Sequence, residues 1–204
     1  LVSSEHESTP FNEIKISDED KEKILEISKR DDLIGLMQNS IAPSVFATGV
    51  MHYVKRSLAL QLFGGVSRIQ QDRTRTRGDI HILLMGDPGV AKSQVLNYMS
   101  KISPRGKLAS GGGVSGAGLT AAAVRDAFGD GRFALEAGVL PLSDRGLAAI
   151  DEFDKISEDD RKVMHPAMEQ QQINVAKGGI TATLPSRCAI LAAANPKDGR
   201  FSKR

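Results

Sequence analysis

The chain has 204 residues, 40% of them hydrophobic and 25% charged, with a net charge of +2. That length holds one domain with a substantial core and perhaps a small appendage, and the near-balanced charge excludes a globally basic nucleic-acid binder, so any polyanion surface must be local. The single cysteine, Cys188, excludes an internal disulfide framework and a multi-cysteine zinc site, no run approaches the roughly 18 apolar residues of a membrane span, and no signal-peptide pattern opens the chain, so a reducing intracellular compartment is expected.

Residues 1–16 are polar and read as a linker or tail, residues 17–40 as a helical lead-in, and residues 41–204 as the core. Ser17 and Asp20 form a capping box, which predicts a helix through Ile24 and Ile27. A second short helix is expected over 32–38, then a loop over "IAPSVFATG", then a helix over "VMHYVKRSLALQLFGG" stopped by Gly64 and Gly65. The stretch "SRIQQDRTRTRGD" carries Arg68, Arg73, Arg75 and Arg77 and reads as a solvated basic loop, with a DNA contact as the alternative.

The apolar run "IHILLM" suits a buried parallel strand. It leads into "GDPGVAKSQ", which fits the phosphate-loop pattern G-x-x-x-x-G-K-[ST] except that Ala91 stands where glycine is called for. The matching residues are those with chemistry attached. Gly86 and Gly89 let backbone N–H groups turn toward an anion, Lys92 can reach β- and γ-phosphates, and Ser93 can ligate Mg²⁺. Val95, Leu96, Met99 and Ile102 follow at helical spacing, so strand, loop and helix N-terminus together predict an anion site.

Farther on, "ASGGGVSGAG" is glycine-rich, is expected to be mobile, and leads into an expected helix "LTAAAVRDAF". "GLAAIDEFDK" reads as a short apolar strand ending in Asp151 and Glu152. Beside a phosphate loop, that pair suits metal-assisted ATP hydrolysis, with Asp151 holding Mg²⁺ through water and Glu152 polarising the attacking water. Ser157 and Asp160 form another capping box, so a helix is expected from about residue 158, kinked or broken between Lys162 and Pro166 because proline removes an N–H and crowds a carbonyl. "INVAKGGITATL" suits a hairpin with Lys177 at its tip, either a finger for a polyanion or a solubilising charge. "CAILAAANP" is a third apolar strand, ending at Asn195, whose amide could bond the γ-phosphate or the attacking water. Cys188 within it reads as a small core residue, and the four histidines show no metal-binding spacing. Three parallel strands ending in Lys92 and Ser93, Asp151 and Glu152, and Asn195 would converge on one crevice of an α/β sheet.

These segments, in this order, resemble the minichromosome maintenance (MCM) family of replicative DNA helicases, which are AAA+ ATPases. The resemblance spans residues 41–201 and rests on "GDIHILLMGDPGVAKSQ", "IDEFDK", "MEQQ", "INVAKGGITATL" and "AAANP". Alanine before the loop lysine is the family's own variant. The resemblance implies a P-loop AAA+ core with a mostly parallel sheet, inserted β-hairpins, ATP and Mg²⁺ as cofactors, and a hexameric ring around DNA with nucleotide bound between subunits. By position, Gly89, Val90, Ala91, Lys92, Ser93 and Gln94 would line the phosphates, Asp151 and Glu152 would be the Walker B pair, Asn195 the sensor, and Phe46 would sit near the adenine. Lys177 would lie on the DNA-gripping hairpin, and a second hairpin would fall at 129–137. The family implies nucleoid or nucleus as the location and no membrane partner. The chain departs from the family at Phe46, where tyrosine is common, in "ATGV" after it, at Gly112 for a lysine and at Pro166 for a glutamate. It ends before the family's arginine finger and helical lid. Two other readings compete: a chelatase-like AAA+ remodeller, and a nucleotide- and DNA-binding MCM-like subunit without turnover.

Overall fold

The computed structural model describes residues 16–72, 75–125, 133–177 and 179–197. Two compact units are present, residues 1–59 and 60–204.

In the first unit, α1 (Asp18–Ser28) is started by Ser17, whose Oγ accepts the Asp20 N–H at 3.1 Å while donating to the Asp20 carboxylate at 2.6 Å. The Ser17 cap is the one expected from the sequence, but the Asp20 carboxylate reaches the Ser17 hydroxyl where a capping box would have it accept the Ser17 backbone N–H, and α1 buries none of its residues. Helix α2 (Leu33–Ser40) follows, then an irregular stretch and α3 (Val50–Phe63), whose residues from Leu60 onward belong to the second unit. Lys55 on α3 is 2% exposed and donates to the Ala42 carbonyl at 3.0 Å, so its charge is withdrawn to hold that stretch. Gly64 ends α3 at φ 64°, its N–H on the Leu60 carbonyl, which is the left-handed stop that glycine supplies without strain.

The second unit is built on a four-stranded parallel sheet. Its strands are β3 (Ile82–Met85), β4 (Lys107–Ser110), β7 (Leu147–Asp151) and β10 (Ala189–Ala194), in the order β3-β10-β7-β4. All six residues of β10 and the first four of β7 are buried, which is why these central strands read as unbroken runs of small and branched apolar residues. Helix α4 (Lys92–Ile102) packs on β7 through Val95, Leu96 and Met99, each fully buried at helical spacing.

Three antiparallel pairs branch from this sheet. β1 (Arg68–Ile69) and β2 (Arg75–Thr76) form a small pair in the arginine-rich stretch, so that segment is partly ordered into strands; Arg73 lies outside the described residues. β5 (Ala121–Arg125) pairs with β6 (Phe133–Ala137). This overturns the helix expected over "LTAAAVRDAF". Only a four-residue helix, α5 (Gly116–Leu119), precedes β5, and cross-strand pairing outweighs the helix preference of three consecutive alanines. The implied second hairpin therefore exists but begins upstream of residue 129, and its turn lies outside the described residues. β8 (Gln172–Lys177) and β9 (Ile180–Pro185) form the third pair, with Lys177 closing β8 opposite Ile180.

Two further helices support the hairpins, α6 (Val139–Leu142) and α7 (Glu158–Glu169). Of the kink or break expected between Lys162 and Pro166, the break does not occur: α7 runs continuously from Glu158 to Glu169 with Pro166 inside it. Met164 and Ala167 anchor the helix in the core on either side of the proline, while Lys162 and Pro166 are exposed, so water can satisfy the carbonyl that proline leaves unbonded. A single core joins α5, α7, β8 and the central strands, through Leu119, Ile150, Met164, Ile173 and Ile190.

Candidate nucleotide site

The register of the sheet sets the site. Ala194 pairs with Met85, and the Gly86 N–H reaches the Ala194 carbonyl, so Asn195 emerges beside the loop that follows β3. Ser110 pairs with Asp151, so the end of β4 stands beside the two acids. A crevice of about 490 Å³ lies across these strand ends, lined by residues that include Gly89, Lys92, Ser93, Asp151, Glu152 and Asn195. Ala91 and Gln94 also line it.

The loop gains its shape from two left-handed residues, Gly89 at φ 84° and Ala91 at φ 62°. Ala91 takes a conformation that glycine adopts at no steric cost, so its methyl is carried at a strained position directly before α4. Val90 is 45% exposed, and its side chain stands 3.3 Å from where a Cβ on Gly86 would lie. Lys92 opens α4, and its ammonium donates to the carbonyls of Gly86 (2.6 Å) and Asp87 (2.8 Å) and to Asn195 Oδ1 (3.1 Å). Lysine and asparagine, 103 residues apart, thus meet in the crevice. The Asn195 backbone is fixed in turn, its N–H donating to Asp154 Oδ1 at 3.0 Å. That bond, with Lys155 adding its charge, holds the Asp154 carboxyl below the usual range.

Glu152 also sits in the left-handed region, at φ 50°, just before a 3₁₀ turn, Phe153–Lys155. Its N–H donates to Asp151 Oδ1, and its Oε2 accepts the Ser110 hydroxyl at 2.8 Å. The Gly111 N–H bonds the Asp151 carbonyl, and a Cβ on Gly111 would lie 2.3 Å from the Glu152 carbonyl oxygen, so only glycine fits there. Next to it, a Cβ on Gly112 would come within 3.3 Å of Glu152 Oε2. The glycine-rich stretch expected to be mobile is therefore bonded to the acids. Ser110 and Gly111 are the residues that sequence reasoning missed. Their only signal was the cluster of glycines, which marks close backbone approach without saying to what.

The other expected residues are placed as follows. Phe46 belongs to the first unit and is 83% exposed. Lys177 ends β8. Arg77, expected in a solvated loop, instead donates to the Met168 carbonyl in the last turn of α7 at 2.7 Å. Cys188 is buried, and burial pushes its thiol up to about 12, which leaves it protonated at neutral pH. Burial, then the nearby Arg77 charge, lowers the pKa of His81, whose Nδ1 accepts the Ile190 N–H.

In chemical terms the crevice offers one ammonium, two carboxylates, a hydroxyl and two side-chain amides at the N-terminus of a helix. The Ser93 hydroxyl and the Asp151 carboxylate are hard oxygen donors of the kind Mg²⁺ takes alongside phosphate and water. No group of three or more His, Cys, Asp or Glu among the described residues is arranged to hold a metal by itself. No helix among them is long and apolar enough to cross a membrane.

Comparison with known proteins adds a second line of observation. The MCM P-loop domain family matches residues 20–204. The minichromosome maintenance protein MCM of Saccharolobus solfataricus is 49% identical over 192 residues, covering 94% of this chain and 27% of that protein. DNA replication licensing factor mcm4 of Schizosaccharomyces pombe is 48% identical over 190 residues, covering 92% of this chain and 20% of that protein. DNA replication licensing factor MCM7 of Oryza sativa is 43% identical over 203 residues, covering 100% of this chain and 27% of that protein. The chain thus spans between 20% and 27% of the length of these relatives.

Proposed function

Because this chain belongs to the MCM family, we propose that it is the ATP-hydrolysing motor core of a ring-forming DNA helicase acting in replication. The observation that carries the reading is the single crevice into which three parallel strands deliver a lysine, two carboxylates and an asparagine. In this reading the backbone N–H groups of residues 89–94 cradle the phosphates of ATP, and Lys92 holds the γ-phosphate oxygens that develop charge during transfer. Ser93 and, through water, Asp151 would hold Mg²⁺, which would supply neutralising charge to the phosphates. Glu152 orients and polarises the attacking water, and Ser110 aims the Glu152 carboxylate. Asn195, bonded to the Lys92 ammonium, senses the γ-phosphate.

Neighbouring copies or related subunits close the ring, with nucleotide between them and Phe46 near the adenine. Lys177 on the β8–β9 hairpin contacts the DNA backbone in the channel, which places the protein wherever the genome is held, nucleoid or nucleus. Two substitutions in the full-length protein separate these roles. Lys92→Ala should weaken ATP binding about tenfold to a hundredfold, the value of a charge-assisted bond to phosphate. Lys177→Ala should spare ATP binding and lower the salt slope of DNA binding by about one unit. Equal ATP affinity in Lys92→Ala by calorimetry would remove the nucleotide site, and an unchanged salt slope in Lys177→Ala would remove the DNA contact.

A further inference from the structure

We propose that Asp160 is a positioning residue that couples the Glu152 carboxylate to the bases of both long hairpins, through the segment spanning residues 110–116. The proposal rests on the reading of Glu152 as the group that acts on water. An ordinary helix cap needs less than Asp160 provides. The Ser157 hydroxyl accepts the Asp160 N–H at 3.1 Å and donates to Asp160 Oδ2 at 2.6 Å, which completes the cap of α7. The other carboxylate oxygen, Oδ1, leaves the helix and accepts the Gly116 N–H at 2.6 Å, 44 residues upstream. One carboxylate therefore serves two elements.

The approach is close. A Cβ on Gly116 would lie 2.6 Å from Asp160 Oδ1 and 3.0 Å from a methyl of Val163, so a side chain there would push the Asp160 carboxylate off the Gly116 N–H. The segment is held equally firmly at its other end, where Ser110 bonds the Glu152 carboxylate and Gly111 bonds the Asp151 carbonyl. Between the two ends, the N–H groups of Gly113 and Val114 both turn back onto the Ser110 carbonyl. A short, internally bonded turn thus runs from the acids to α7.

From the Asp160 junction the structure leads to both hairpins. α5 passes through Thr120 into β5, and the Gly138 N–H at the end of β6 closes onto the Thr120 carbonyl at 2.8 Å. α7 passes through Gln171 into β8, and the Ser186 N–H after β9 closes onto the Gln171 carbonyl at 2.9 Å. The first elements of both hairpins share one core, in which Leu119 and Ala121 pack with Met164, Ile173 and Val175. A packed interior has low compressibility and transmits strain. When Glu152 changes partner during turnover, Ser110 is the first residue to register it, and Asp160 carries the change to the hairpin bases.

The test uses the full-length protein with Asp160→Ala, Asp160→Asn and Gly116→Ala. Hydrogen exchange is read at 121–125, 133–137 and 172–177, and ATP KM and kcat are measured with and without DNA. In Asp160→Ala, amides at both hairpin bases should exchange faster together, by about fivefold, as expected when a local opening loses one hydrogen bond of ordinary net strength, while β7 and β10 match the parent. DNA stimulation of kcat should fall at least fivefold or so with KM for ATP unchanged, as for a residue that positions without touching nucleotide. Asp160→Asn keeps an oxygen for the Gly116 N–H and should retain most of the stimulation, whereas Gly116→Ala should reproduce Asp160→Ala. Faster exchange confined to the first turn of α7, or intact DNA stimulation in Asp160→Ala, would overturn the proposal. If Asp160→Ala does not fold, Gly116→Ala and Asp160→Asn decide the same question. Absence of ATPase in the parent protein would sink the motor reading instead, and the exchange result would still decide whether Asp160 links the hairpins.

Discussion

The two ends of the central sheet treat charge in opposite ways. At the carboxyl ends of the strands, Lys92 is held by three oxygens and Glu152 by one hydroxyl, and both groups line an open crevice. At the amino ends, the charges are turned on each other. Asp144, its side chain 9% exposed, accepts Arg187 Nη2 at 2.7 Å, Nε at 3.0 Å and the Arg187 N–H at 2.8 Å. Burial works against the Asp144 charge, but the bonds from Arg187 outweigh it and hold the carboxyl below its ordinary range. The Arg145 N–H donates to the Arg187 carbonyl, and the Ala189 N–H donates to the Gly146 carbonyl, so these bonds tie the entry of β10 to the entry of β7. Charge at one end fastens the sheet; charge at the other stays available to something outside the protein.

The largest effect is expected at Glu152. Glu152→Gln should lower ATP turnover by at least about a hundredfold, the usual scale for losing a general base, while leaving the thermal midpoint and ATP affinity near those of the parent. A loss of stability in step with activity would show that this end is structural as well. Next comes Asp144→Ala, which leaves Arg187 without its partner. Because the Arg187 side chain is 30% exposed, the penalty is below that of a fully buried pair, about 2 kcal/mol, read as a lower urea midpoint. ATP affinity at a temperature where the variant is folded should not move, and a large drop would erase the division between the ends.

The smallest effect is in acid. Asp144, Asp154 and Asp160 all have carboxyl pKa values lowered by folding. Such groups bind protons more readily when unfolded, so their contribution is complete above the ordinary carboxylate value of about 3.9 and is lost as pH falls below it. Thermal midpoints should decline from pH 5 to pH 3, and less steeply in Asp144→Ala. An identical slope in that variant would mean that the Asp144–Arg187 pair carries none of the acid sensitivity.

What the sequence disclosed follows the same division between local and distant causes. The strands ending at Met85, Asp151 and Ala194 were legible because each is an apolar run bounded by a turn signal. The loop at 86–93 was legible because glycine and lysine are informative letters. β4 was not, since "KLAS" has no apolar run and is a strand only because β7 lies beside it. "AAAVR" read as helix because alanine favours one locally, yet pairing with β6 decided otherwise. The proline in α7 predicted a kink or break by a rule for isolated helices, and with Met164 and Ala167 anchored in the core the helix does not break. The Ser110–Glu152 and Asp160–Gly116 contacts, 42 and 44 residues apart, leave no periodic trace that a reader of one chain could find.

One buried amide bears on how such a site tolerates change. Gln61, 2% exposed on α3, donates through its Nε2 to the carbonyls of both Ile80 and Ile190, each at 2.9 Å. It thereby pins the approach to β3 and the body of β10 to a common origin. The alignment of those strands determines whether Asn195 meets Lys92, a separation of 3.1 Å. A slip of one residue would offset one strand against the other by about 3.3 Å and turn its side chains to the opposite face. Gln61 thus acts as an alignment pin, and mutational damage far from the crevice can reach it by way of register alone.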